Sequence, residues 1–156
     1  MVRGTFSPAR ALRPAVVARL ARTLGRIATD TLESLFQMLV LAALLIFLTG
    51  CAHSYLGERY ILIRLFKHGN LPKLLGGMEF TQGTLRFAWH VTTVAWWALA
   101  LLLVLAHRGP LSTASVLNVI AGAALATAVL PIFFTRGKHL SWVVFLLVAA
   151  LVAFAA

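Results

Sequence analysis

Phe36-Gln37-Met38-Leu39-Val40-Leu41-Ala42-Ala43-Leu44-Leu45-Ile46-Phe47-Leu48 decides the fold. It contains no charged side chain and a single amide, Gln37. Extended to residues 35–56, the run stays predominantly apolar. A helix needs about 20 such residues to cross roughly 30 Å of hydrocarbon. Working outward, three more runs follow at about 87–106, 114–134 and 140–156. The last of these has only about 17 residues, close to the lower limit for a span. None of the four contains Lys, Arg, Asp or Glu. In lipid every backbone amide must be paired within its own segment, which selects helices. A barrel would show alternating strands of about ten residues instead of continuous runs. The expected fold is therefore all-α, an integral membrane four-helix bundle, and the expected location is a bacterial inner (plasma) membrane.

Composition agrees. Of 156 residues, 61% are hydrophobic and 12% charged, against about 45–50% and about 25% in soluble domains. Mean hydropathy is +0.92. Basic residues outnumber acids by 14 to 4, for a net charge of +10. In a soluble chain that balance would suggest nucleic acid. Here the cations lie outside the apolar runs, so anionic lipid headgroups are the expected partner and nucleic acid is not. One cysteine, Cys51, excludes an intramolecular disulfide.

Two regions are expected along the chain: a basic arm over residues 1–30 and a helical domain over 31–156. The arm carries Arg3, Arg10, Arg13, Arg19, Arg22 and Arg26, with no acid before Asp30. It fits an arm lying on anionic lipid, an organellar transit peptide, or an extension upstream of the true start. His107-Arg108-Gly109-Pro110 and Thr135-Arg136-Gly137-Lys138-His139 read as tight turns between the later helices. Pro131 is expected to kink or end the third helix. Between helices one and two, Glu58 to His68 is amphipathic on a helical wheel. Arg59, Tyr60, Arg64, Lys67 and His68 fall on one half, and Ile61, Leu62, Leu65 and Phe66 on the other, with Ile63 the exception. That pattern predicts a short interfacial helix over 58–68, separated from the first span by a break at Gly57. Gly69 ends it, and the remainder up to residue 86 is expected to be irregular.

Up-and-down threading gathers polar groups at one end of the bundle. Cys51, His53 and Glu58 close the first helix, Arg86 and His90 open the second, and His139 opens the fourth. On the second helix Arg86, His90, Thr93 and Trp97 share a face. On the first, Thr49 or Gly50, His53 and Gly57 form a small-residue stripe along which a helix can approach closely. Three chemistries suit these residues. His53, His90 and His139, with Cys51 or Glu58, are candidate ligands for a transition metal, although no CxxC, HxxxH or HExxH is present. His53 and His90 suit axial ligation of haem. An acid–base site would use His53, His90 and Glu58 as catalytic groups, with Arg59 or Arg86 holding an anionic headgroup. Arg59, Arg64, Lys67 and Arg86 are the candidate headgroup contacts.

The competing expectation is an accessory subunit with no site of its own. Ala114, Asn118, Gly122 and Ala126 recur every four residues, a stripe suited to helix packing within the chain, to a homo-oligomer, or to a partner membrane subunit. An uncharged-substrate transporter is a further alternative, because no acid or base lies at mid-depth in a span core.

Overall fold

The computed structural model describes residues 14–75 and 77–156, which are helical apart from short connections. Four principal helices carry the four apolar runs: α1 (Pro14–Leu56), α3 (Met78–Arg108), α4 (Thr113–Thr135) and α5 (Ser141–Ala155), with a π turn (Gly57–Leu62) and a short α2 (Ile63–Lys67) after α1. Among the described residues there is no strand, only an isolated bridge between Leu74 and Gly77. Three helices are long and apolar enough to cross a membrane: the helical stretch Pro14–Lys67, α3 and α4. α5 has 15 residues, about 22 Å of helix at about 1.5 Å per residue. The span expected over 140–156 is thus shorter than the other three.

Contacts divide the chain between Phe36 and Gln37. In the first unit, α1 is described from Pro14 onward. Arg19, Arg22 and Arg26 line up along one face of it. The earlier arginines of the basic arm, Arg3, Arg10 and Arg13, lie outside the described residues.

In the second unit α3 packs on α4, and α4 on α5. α4 buries Ala121, Ala124, Ala128, Pro131 and Thr135, a spacing of three and four that puts small side chains on one face. Small residues let helix backbones come close. Opposite them, Gly83 of α3 lies against the Phe134 carbonyl, where a β-carbon has no room. The expected stripe is the other face of the same helix: Asn118, Gly122 and Ala126 are exposed, and Ala114 is half-buried.

Three expectations are corrected. The break at Gly57 does not occur, because Leu56 and Ile63 on either side of the π turn both keep right-handed helical dihedrals. Gly57 is instead buried beneath the indole of Trp89, so its missing side chain serves close approach and does not bend the chain. Residues 58–67 therefore continue α1 and are not a separate interfacial helix; the chain turns at Gly69, whose φ is +69°. Second, α3 begins at Met78, well before residue 87. Phe80, Gly83 and Phe87 are buried at helical spacing, and packing of that face extends the helix. Third, Pro131 does not end α4. It is fully buried, and the helix runs one more turn to Thr135, whose hydroxyl donates to the Pro131 carbonyl at 2.6 Å. Arg136, in the left-handed region at φ +54°, ends the helix.

Candidate functional site: the polar seam between α1 and α3

Ser54, Glu58, Leu62 and Phe66 are spaced four apart. In an α-helix each step of four overshoots a full turn by about 40°, so three steps would swing the series about 120° around the rod. The π turn, with its i→i+5 hydrogen bonds, takes an extra residue per turn and removes much of that drift. All four side chains consequently meet α3 or the core. Ser54 reaches His90, Glu58 reaches Arg86, Leu62 is 3% exposed, and the Phe66 ring lies 5.0 Å from the Arg86 guanidinium.

The facing side of α3 is the one read from the sequence. Arg86 donates to Glu58 Oε1 through Nε at 2.9 Å and Nη2 at 2.7 Å. Both bonds go to one oxygen. The other, Oε2, is buried and has no hydrogen-bond partner; it faces His90 Nε2 at 3.8 Å. That distance suits an ion pair and is too long for a hydrogen bond. At the opposite edge of the ring, His90 Nδ1 is 2.8 Å from Ser54 Oγ. Ser54 Oγ is in turn 2.8 Å from Thr93 Oγ1, and the Thr93 hydroxyl donates to the Gly50 carbonyl at 3.5 Å. Phe134 of α4 stacks on the imidazole, with centroids 5.5 Å apart.

This chain of contacts accepts either state of the imidazole. With Nδ1 protonated, the ring donates to Ser54, Ser54 to Thr93, and Thr93 to the Gly50 carbonyl. With Nδ1 bare, Thr93 donates to Ser54, Ser54 donates to Nδ1, and the Nε2 proton points at Glu58. On the Nδ1 side both arrangements keep every hydroxyl donor paired, while on the Nε2 side the Glu58 oxygen stands 3.8 Å away, within ion-pair reach.

His53 belongs to a separate arrangement one residue earlier on α1. Its ring stacks on Trp89 at 4.6 Å and meets Trp96 edge-on at 5.0 Å. Its Nε2 is 2.9 Å from the Thr92 hydroxyl, which donates to the Trp89 carbonyl at 2.7 Å. Trp89 Nε1 donates to the His53 carbonyl at 3.1 Å. The end of the seam is closed by Trp97, whose Nε1 donates to the Phe47 carbonyl at 3.3 Å. His139 lies elsewhere again, stacked on Phe80 and edge-on to Phe87, with Nδ1 2.9 Å from Ser141 Oγ.

Of the sequence-predicted groups, the structure brings His90, Glu58 and Arg86 together, places His53 beside them in its own cage, and holds His139 apart. Among the described residues no three of His, Cys, Asp and Glu gather as a metal-binding group. Arg59, Arg64 and Lys67 are exposed, with the Arg64 guanidinium 5.6 Å from the Tyr60 centroid. Arg86 is committed to Glu58. Sequence reasoning missed Ser54 and Thr92 as site groups, whereas Thr93 was read on the face shared by Arg86, His90 and Trp97. Ser54 had a signal, since it precedes Glu58 by one helical turn.

No family model, curated protein or solved structure matches the chain.

Proposed function

We propose that this chain is an integral membrane protein whose working part is an acid–base centre on the α1–α3 seam, with His90 exchanging protons with Glu58 and Ser54. The observation that supports it is the bracketed imidazole: a hydroxyl 2.8 Å from Nδ1 and a carboxylate oxygen 3.8 Å from Nε2. A base held between a hydroxyl and an orienting acid is what proton transfer and nucleophile activation require. Arg86 fixes the carboxylate and leaves Oε2, the oxygen nearest His90, without another partner. Distances in unliganded sites commonly tighten when a substrate binds.

Membrane residence is supported by three spanning-length apolar helices and by a composition too poor in charge to cover a watery surface. In this reading the helical spans belong to an inner (plasma) membrane, and the exposed Arg59, Arg64 and Lys67 meet anionic headgroups. The substrate class would be a membrane-borne molecule approaching from that end. A metal has less support, because among the described residues no three of His, Cys, Asp and Glu gather as a ligand set.

Proton uptake tests the proposal. Purified protein in lipid nanodiscs, weakly buffered and followed with a pH-indicator dye, should take up protons after an acid step. Glu58→Gln and His90→Gln should each remove the same component. Identical uptake in all three proteins would overturn the proposal.

A second reading, an oligomerising or partner-packing subunit, draws on one observation. Asn118, Gly122 and Ala126 form an exposed stripe on α4, and a β-carbon at Gly122 would meet nothing within 4 Å. Gly122→Leu should then disrupt an oligomer seen by crosslinking in the membrane. An unchanged crosslinking pattern would count against it.

A further inference from the structure

Beside the seam, where α3 starts and α4 hands over to α5, a groove of about 180 Å³ is lined by Glu79, Gln82, Arg86, Arg136 and Lys138. Its charges are unevenly matched. Arg86 is already bound to Glu58. Among the described residues, Arg136 and Lys138 have no ion-pair partner within 4.0 Å, and neither has Glu79. Two free cations against one carboxylate leave the groove electropositive.

Arg136 also occupies a backbone position that does not suit it. Its φ of +54° puts it in the left-handed region, and Gly137 follows at φ +75°. Glycine or asparagine is the usual residue where a helix ends this way. A long charged side chain there carries a conformational cost that a glycine would avoid, and such positions concentrate at ligand clamps. The turn is held by Gly137 N–H to the Ile132 carbonyl at 3.0 Å and by the His139 N–H to Thr135 Oγ1 at 3.1 Å. The side chains of Arg136 and Lys138 are thus presented from a fixed backbone, one residue apart.

We infer that this groove is a binding site for a phosphate group, held by Arg136 and Lys138 with Gln82 as a neutral donor. A guanidinium offers paired N–H donors that match phosphate oxygens, and an ammonium adds a point charge. Glu79, the one unpaired carboxylate on the groove, sets the limit on affinity and keeps the anion to the α4–α5 side. The phosphate belongs either to a lipid headgroup or to a small soluble phosphate, and the two sources share this chemistry. The site does not depend on His90 and Glu58 being an acid–base centre.

Native mass spectrometry of the full chain, released from detergent in the presence of phosphatidylglycerol or of diacylglycerol, tests the lipid source. Titration of the same protein with glycerol 3-phosphate tests the soluble source. Wild type should retain phosphatidylglycerol at least tenfold better than diacylglycerol, or bind glycerol 3-phosphate. Arg136→Gly combined with Lys138→Gln should abolish whichever is seen, and Glu79→Gln should strengthen it. Arg136→Gly suits its backbone position, so loss of binding in that variant with an unchanged or raised melting temperature separates a lost ligand contact from a lost fold. His90→Gln, which does not line the groove, should leave phosphate binding intact, which separates this site from the acid–base centre. No preference for phosphate in either assay, or equal binding by wild type and the double variant, would overturn the inference.

Discussion

Gly57 lies directly under the indole of Trp89, so close that a β-carbon at residue 57 would overlap the ring. The contact fixes how the π turn sits on α3. It thereby sets the height at which Glu58, the next residue, meets Arg86. Gly50 repeats the device under Trp97, where a β-carbon would come within 2.8 Å of Nε1.

Gly57→Ala should therefore destabilise the protein by about 1–3 kcal/mol, the usual cost of forcing extra atoms into a packed site. Gly122→Ala faces open space and should be neutral or stabilising by about 0.5–1 kcal/mol through helix propensity. Reversible unfolding in mixed micelles compares the two. Equal effects would mean that the α1–α3 contact is not tight.

Ser54→Ala and Thr93→Val should each cost about 0.6–1.7 kcal/mol, the range for hydrogen bonds between helices in bilayers. The two share one bond of 2.8 Å, so the double variant should cost less than the sum. Strict additivity would place the two hydroxyls in separate interactions.

Arg86→Leu leaves the Glu58 carboxylate with neither oxygen bonded and should cost about 1.5–3 kcal/mol, as for hydrogen bonds to a charged group. The low end is expected, because the pair is 34% and 30% exposed. Glu58→Gln keeps an acceptor for Arg86 and should cost less. Arg86→Leu with Glu58→Leu together should recover part of the loss, since removing both charges leaves none unpaired. Thermal unfolding of the three variants gives the order.

Alkaline carbonate washing of membranes from an expressing cell should leave the chain in the pellet, as expected for three spanning-length helices. Release into the supernatant would count against insertion and would require another cover for exposed residues such as Leu41, Leu45, Phe133 and Leu151.

How much of this was legible in the sequence follows from which forces act locally. The apolar runs are continuous, so their helices could be read directly. So could the Arg86, His90, Thr93 and Trp97 face, because helical periodicity survives inside a long helix. The π turn could not be read, since Gly57 to Leu62 carries no residue pattern that separates it from α-helix. Gly57 itself invited a break, and only the indole across the seam shows why it stays helical. The early start of α3 was written in Phe80, Gly83 and Phe87, but masked by glycines and polar side chains nearby. The grouping of His53, His90 and His139 failed because depth along the bundle is not proximity. His139 is held by aromatic rings of α3 that the sequence does not point to.

The most direct measurement is the titration of ¹⁵N-labelled His90 in lipid nanodiscs by NMR, in wild type and in Glu58→Gln. Proton exchange between the two groups requires that removing the carboxylate charge move the His90 midpoint, and that Ser54→Ala change the tautomer signal at Nδ1. An identical titration curve in wild type and Glu58→Gln, with the Nδ1 signal unaltered by Ser54→Ala, would contradict a coupled acid–base centre and leave the seam as helix packing alone.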